Sequence, residues 1–546
     1  MIQAPHAISG AFLGLFIPTA QAQTIHPLVV EGDVVPGMGQ VTRIDNIAVL
    51  NADQWLVEVD TDHADTDADG ALLNSAGLVF REGQALTSPV GASLDSFDSI
   101  RFDSFGRVGY NFFLDGTAGT TDDSGVYSGS SLLVQEGASS ISPALTPGSP
   151  YRGFFDVKAD SQAGGSLSLL LLATVDDPII PSTVDQVLVS LVTGAGGGTL
   201  VAEEMIAKEG DILPGQTEAI ATFGTAPHSS AYAGPGLEMF FADLLGDTAT
   251  DGVIYLGSTL LAQEGSASPI AGRAWASLSS PELDVTESGA YAFSGSLSGD
   301  VASNLLIVRN GVAFVQEGDS LPDINGFALT SLGTGPLSLS NTGDLLWYGD
   351  WDDPDTDRDT GLFLNGDLLV QEGVTTVAGS TIDSLRGIQD GYFLSEDGQH
   401  VIFDALLLDG REGAFLIRLG IGDSYCTAAA GSLLGVGTSI SASGSASIAS
   451  NALTLIANPA PVQPGIFYFG TTQIQVPFGS GFRCVGGTTT RLPVIFPSSG
   501  TATFSLDLAA LGMAPGSRNF QYWFRDIGGG PSTFNLSDGL EIVFVP

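Results

Sequence analysis

Lysine is nearly missing from this chain. Only Lys158 and Lys208 occur in 546 residues, and all basic side chains together number 17 against 61 acidic ones. A surface so short of positive charge repels nucleic acid and anionic membranes, and it attracts divalent cations or basic partners. Histidine is scarce as well. His6, His26, His63, His228 and His400 show neither a nucleophile nor a metal-ligand spacing, and there is no G-x-S-x-G elbow, H-E-x-x-H or phosphate loop. Long helix-forming runs are absent. The apolar run LSLLLLATV at 167–175 is too short to cross a bilayer, so no transmembrane span is expected. Cysteine is limited to Cys426 and Cys484.

What the chain has in quantity is Gly, Ser, Thr and Asp alternating with Leu and Val, the composition of an all-β protein with many turns. It also repeats. The hexamer LLVQEG at 368–373 recurs as LLVQEG 132–137, LLAQEG 260–265 and AFVQEG 313–318, with looser copies VFREG 79–83, MIAKEG 205–210 and PLVVEG 27–32. The glutamates are Glu31, Glu82, Glu136, Glu209, Glu264, Glu317 and Glu372, separated by 51, 54, 73, 55, 53 and 55 residues. A period near 53 is that of a propeller, solenoid or array.

Each unit reads as four strands. The one ending at Glu317 has an extended stretch through WASLSSPELDV, a turn at Glu287-Ser288-Gly289, then AYAFSGSL, LLIVRNG and VAFVQEG. Glycine supplies the positive φ of such turns, and Asn310-Gly311 and Asn365-Gly366 suit two-residue hairpins. Four antiparallel strands per repeat is a propeller blade. The copy at 27–32 has no first three strands, and residues 381–420 offer three strands without a fourth. Joined, these halves complete a seven-bladed β-propeller over 27–420 and remove an exposed sheet edge; an open β-solenoid is the alternative. The spacing of 73 belongs to the third blade, with the extra residues expected in VDDPIIPST and TGAGGGT.

The ends of the chain differ in character. ISGAFLGLFIPTAQAQ resembles a signal peptide over residues 1–22, with Ala20-Gln21-Ala22 as an A-x-A cleavage pattern but no basic residue ahead of it. Residues 424–546 hold four acids and four arginines, so the net charge of −44 lies before them. They read as a β-sandwich. An even cysteine pair within one domain of an exported protein most often forms a disulfide. Cys426 and Cys484 would close a loop worth about 4 kcal/mol on the chain-entropy account, two free buried thiols being the other option.

The repeats, with their LLVQEGD..PG and N.G..aF marks, resemble those of uncharacterised secreted bacterial β-propeller repeat proteins. Tyr425-Cys426-Thr427, GIFYFG, Phe482-Arg483-Cys484-Val485, QYWFRD and FNLSDGLEIVF are similar to a disulfide-bonded domain appended to many exported bacterial proteins. The resemblance covers nearly the whole chain and implies fold and export, a secreted or cell-surface location, but no activity.

Chemistry concentrates in two acidic loops. Asp65-x-Asp67-x-Asp69-Gly70 matches the start of a calcium loop but has Ala76 where the bidentate Glu would stand; Asp355-x-Asp357-x-Asp359 lacks the following glycine. Oxygen ligands without His or Cys favour calcium, the one cofactor expected; a solvated acidic surface is the alternative. The seven repeated glutamates read as blade-locking residues that accept backbone donors from the next blade. No catalytic residue stands out, and the S-x-D-x-G-x-T-W box of sialidase-like propellers is absent. The expectation is a monomeric binding or surface-interaction protein with an extracellular protein or glycan as ligand. The rival is a glycosidase-like hydrolase with paired carboxylates in the central funnel. Aromatic, Arg and acidic side chains converging there would favour the rival, and a uniformly acidic rim would favour binding.

Overall fold

In a computed structural model, residues 25–545 are described except 162–164, 181–184, 388–389, 420, 499 and 529–531. The signal-like segment 1–22 lies outside the described residues. The protein is all-β: apart from two single 3-10 turns at Val301–Ser303 and Pro322–Ile324, every regular element described is a strand. No described helix is long and apolar enough to cross a membrane.

Up to residue 418 the strands form seven antiparallel sheets. Six are continuous in sequence, at 34–81, 93–135, 151–208, 220–263, 275–316 and 329–371. The seventh joins residues 376–418 to the first strand of the chain, Ile25–Val30, which pairs with Glu412–Arg418 (Ile25 opposite Ile417, Val30 opposite Gly413). The long third unit puts its extra residues into the strands as well as the loops. Tyr151–Ser161, Leu167–Val175, Asp185–Thr193 and Leu200–Lys208 are nine to eleven residues long. The apolar run is thus a central strand buried along nearly its whole length.

The Glu-Gly repeat is the joint between one sheet and the next. Each glutamate begins a turn closed by the residue after the glycine, as in Asp33 N–H to Val30 C=O and Asp319 N–H to Gln316 C=O. The glycine has positive φ at all seven copies, from +66° at Gly373 to +92° at Gly32, the conformation a type II turn needs at its third position. Its N–H then donates to the following sheet: Gly32 to Val41, Gly83 to Leu94, Gly137 to Tyr151, Gly210 to Ile220, Gly265 to Trp275, Gly318 to Leu329 and Gly373 to Ile382. The joint from Gly32 leads out of the seventh sheet into the first.

The glutamate side chains mostly serve their own sheet, which corrects the expectation that they reach the next. Glu82 accepts from Gly70 N–H at 2.9 Å, Glu317 from Asn304 and Leu305 N–H at 2.9 and 3.2 Å, Glu372 from the Thr360 hydroxyl, and Glu31 from Glu412 N–H at 3.2 Å. Glu264 does both, accepting from Gly252 N–H and, at 2.7 Å, from Leu278 N–H of the following unit. The carboxylate closes the start of the neighbouring strand by accepting a donor at the end of the ladder. The glutamine before it fastens the same loop: Gln135, Gln263, Gln316 and Gln371 each donate an amide N–H to a carbonyl there, at 2.6 to 2.9 Å.

The core follows the joints. One apolar cluster spans the first and second sheets (Leu56, Phe80, Phe97, Phe112), and further clusters couple each later sheet to its successor. Another couples the seventh to the first, through Val29, Ile402, Leu416, Ile44 and Val57. Beyond residue 422 a five-stranded and a three-stranded sheet share one core around Phe467, Tyr522, Leu455 and Ile440. Cys426 and Cys484 are joined in a disulfide there.

Candidate functional site

The strand that leads each of the seven sheets is irregular, and the irregularities carry the site. In the first three sheets it is continuous but bulged, with register shifts at Ile44/Ile47, Phe97/Ser99 and Phe154/Val157. In the other four it breaks into two short pieces that pair with the same neighbour, such as Trp275–Ser277 and Leu283–Val285 against Tyr291–Leu297. Bulges and breaks free side chains from the alternation of a regular strand and re-aim them. Asp98 and Asp156 sit at bulges; His228, Glu282 and Asp390 sit in the breaks. His228 and Asp390 take positive φ, +66° and +58°, a conformation that costs a non-glycine residue stability and concentrates at functional sites.

His228 lines a cavity of about 150 Å³ to which every sheet contributes: Ala48, Arg101, Lys158, His228, Asp284, Ser338 and Phe393, in sheet order. Arg101 Nη2 lies 2.8 Å from Asp390 Oδ1 and 3.5 Å from Asp156 Oδ2, with its guanidinium 5.0 Å above the Phe393 ring. Lys158 Nζ contacts Asp156, and His228 Nε2 is 3.6 Å from Asp390 Oδ1.

Burial and charge set the protonation states. Burial opposes ionisation of Asp156, but Arg101 and then Lys158 outweigh it and hold the carboxyl below its ordinary range. Burial, with Lys158 adding to it, takes His228 down to about 3, so the ring is neutral and its contact with Asp390 is no ion pair. Burial pushes Glu282 up to about 9 and Asp284 to about 6. Glu396, which also lines the cavity, is raised well above the ordinary range by burial and by Glu287, Asp160, Asp103 and Asp284. Several buried polar atoms at this site have no hydrogen-bond partner: Asp156 Oδ1, His228 Nε2, Ser229 Oγ and Glu282 Oε2.

The acidic loops lie elsewhere. Each packs under a Glu-Gly joint, the backbone of 67–68 against Gly83 and that of 357–358 against Gly373. Asp67 N–H caps Asp65 Oδ1 at 3.4 Å, and Arg358 holds Asp353 and Asp355 at 3.1 and 3.4 Å. Neither trio of aspartates is brought together: among the described residues no group of three or more His, Cys, Asp or Glu is placed to hold a metal ion. Sequence reasoning passed over Arg101, Asp156, Lys158, His228, Glu282 and Asp390. The available signal was the rarity of lysine, since one of the chain's two lies buried at this cavity.

No protein-family profile and no curated relative matches the chain. Among solved structures it is similar to a glucose dehydrogenase at 12% identity and a TM-score of 0.27, over 73% of this chain and 100% of that one. It is similar to the Trypanosoma rangeli sialidase in complex with the inhibitor DANA at 9% identity and a TM-score of 0.33, over 96% and 93% of the two chains. An engineered GH43 glycoside hydrolase gives 11% identity and a TM-score of 0.22, over 96% and 93%.

Proposed function

We propose that residues 25–418 form a closed seven-bladed β-propeller that binds a small polar ligand in the cavity where its seven sheets meet. Seven repeated joints and an apolar cluster coupling the last sheet to the first support the ring. The observation that carries the ligand site is that cavity's polar lining, Arg101, Lys158, His228, Asp284 and Glu396, in which His228 Nε2 has no hydrogen-bond partner, because such an atom costs stability unless something satisfies it. A volume of about 150 Å³ suits one small molecule. The disulfide supports an extracytoplasmic location. Calcium at Asp65, Asp67 and Asp69, and at Asp355, Asp357 and Asp359, is the part of this reading that rests on sequence alone.

Equilibrium dialysis against a mixture of small polar molecules, followed by mass spectrometry of what is retained, tests the binding reading. One molecule per chain should be held by the wild type and lost from Arg101→Met. Retention of nothing would sink it.

A hydrolase is favoured by one arrangement: Arg101, Phe393 and carboxylates converge here in place of a uniformly acidic rim. Glu282 keeps its proton while Asp156 is ionised, which is how an acid and a base divide their roles. Turnover of aryl glycosides that disappears in both Glu282→Gln and Asp156→Asn would move the reading to an enzyme.

A further inference from the structure

The residues that line the central cavity carry N–H groups to spare. A guanidinium offers five N–H donors and an ammonium three. Arg101 uses Nη1 on the Ile100 carbonyl at 2.9 Å and Nη2 on Asp390 at 2.8 Å, and Lys158 uses one N–H on Asp156. Among the described residues the others, Arg101 Nε–H included, have no hydrogen-bonded acceptor. Their charge is already matched, because Arg101 and Lys158 stand against Asp390 and Asp156. Asp284, also in the lining, supplies acceptors. Its oxygens take one backbone N–H each, from Leu339 at 2.6 Å and from Val285 at 2.8 Å, and a carboxylate oxygen has room for a second. Burial raises Asp284 only to about 6, so it is ionised at neutral pH. An anion would therefore add charge where the cations are spent and a carboxylate faces it. A cation would satisfy Asp284 and leave the N–H groups of Arg101 and Lys158 without acceptors. A hydroxyl accepts and donates at once, so a neutral molecule with several hydroxyls meets both kinds of group and adds no net charge. Val49, Leu283, Leu337, Phe393 and Leu394 give the lining an apolar part as well, which suits the C–H face of a ring whose hydroxyls lie at its rim.

We propose that the cavity takes a neutral cyclic polyol of monosaccharide size, its hydroxyl oxygens accepting from Arg101 and Lys158 and one hydroxyl donating to Asp284. This rests on the reading of the cavity as a ligand site. A volume of about 150 Å³ confines it to a single ring.

Calorimetric titration of the full chain at neutral pH separates the classes with probes of one shape. Glucose, galactose, mannose, xylose and myo-inositol are neutral, glucuronate and galacturonate are anions, and glucosamine and galactosamine are cations. At least one neutral probe should bind, one molecule per chain and about tenfold or more tighter than any charged one. Its affinity should fall about tenfold in Lys158→Met and in Asp284→Asn, what a hydrogen bond to a charged group is worth, in variants whose melting curves show them folded. In the wild type it should hold steady from about 0.1 M to about 1 M salt, over which the screening length drops from about 10 to about 3 Å. Saturable binding of no neutral probe would overturn the proposal, and so would neutral binding that both folded variants leave unchanged. A uronate or hexosamine bound in preference, and weakened by salt, would overturn the neutral class while leaving the cavity a binding site.

Discussion

Arg101 and Asp390 stand 289 positions apart in the chain and meet at 2.8 Å, one from the second sheet and the other from the seventh. Their contact spans the space between sheets that are not neighbours in sequence. Both are mostly hidden, with side-chain exposures of 14% and 18%, so Asp390 relies on Arg101 for neutralisation while Arg101 is shared with Asp156.

Removing one partner of such a pair leaves a buried charge alone. Arg101→Met should cost about 3 kcal/mol in chemical denaturation. The double variant with Asp390→Asn should cost less than the sum of the single changes, because the orphaned carboxylate is then gone. Strict additivity would show that the pair is not coupled.

The joints should rank by crowding. A β-carbon at Gly373 would lie 2.0 Å from the Asp357 carbonyl oxygen, whereas one at Gly32 would meet nothing within 4 Å. Both have positive φ, so Gly32→Ala carries the backbone cost of roughly 1 to 2 kcal/mol. Gly373→Ala should cost clearly more. Equal shifts in denaturation midpoint would mean that the loop at 357 simply moves aside.

Removing strand Ile25–Val30 strips Glu412–Arg418 of its partner and breaks into the two clusters that hold Val29 and Val30. Calorimetry should show a large drop in the transition of residues 25–418, while the disulfide-bonded domain melts as before. A truncated chain with an unchanged first transition would show that the strand is dispensable to the seventh sheet.

Stability should fall as pH rises above the acid range. Burial lifts Glu58 from 4.5 to about 8 and Glu282 from 4.5 to about 9, so the folded chain holds protons that the unfolded chain has released. Their contribution is fully present below pH 4.5 and is lost as pH rises through 8 and 9. His228 works the other way: its folded value of about 3 against 6.5 unfolded removes stability as pH falls below 6.5. One such group is outweighed by the two acids, so the melting temperature should be higher at about pH 5 than at about pH 8.5. Glu58→Gln and Glu282→Gln should each flatten the slope.

For calcium, the two loops should not respond alike. Arg358 already occupies Asp353 and Asp355, while Asp65 meets the His63 ring through its backbone and the Asp67 N–H through its carboxylate. If the loops bind calcium, the excess of its melting shift over matched sodium chloride should fall more when Asp65, Asp67 and Asp69 become Asn than when Asp355, Asp357 and Asp359 do. No excess in the wild type would mark both loops as solvated surface.

The joints were legible in the sequence because their physics is local. A Glu that closes a strand end, a Gly in positive φ and the residue that seals the turn are consecutive, so the pattern recurs wherever a sheet hands over to the next. The four strands of each unit and the pairing of the first strand with residues 412–418 followed from the same spacing. The cysteine pair was legible for its isolation. The cavity was not. Arg101, Asp156, His228, Glu282 and Asp390 share no motif and no period, and bulges and breaks expel all but Arg101 from the alternation that makes strands readable. They become neighbours only in the folded chain, where Arg101 meets Asp390 and Asp156, and His228 meets Asp390. The glutamates' partners were misread for a related reason: which strand end lacks a ladder bond depends on sheet register, and sequence does not display register.

The pairing of Ile25 with Ile417 also sets a clock on synthesis. The first strand leaves the ribosome with its partner still nearly 400 residues away. At 5–20 residues per second the wait is roughly 20 to 80 s. During that time an apolar strand with an unpaired edge has no place in the fold, and the last sheet waits with it. The six continuous sheets can form in order as they emerge, but the molecule becomes whole only after its oldest strand returns to its youngest sheet. A nascent chain of this kind is exposed longest at its beginning, and there a holding factor would have most to protect.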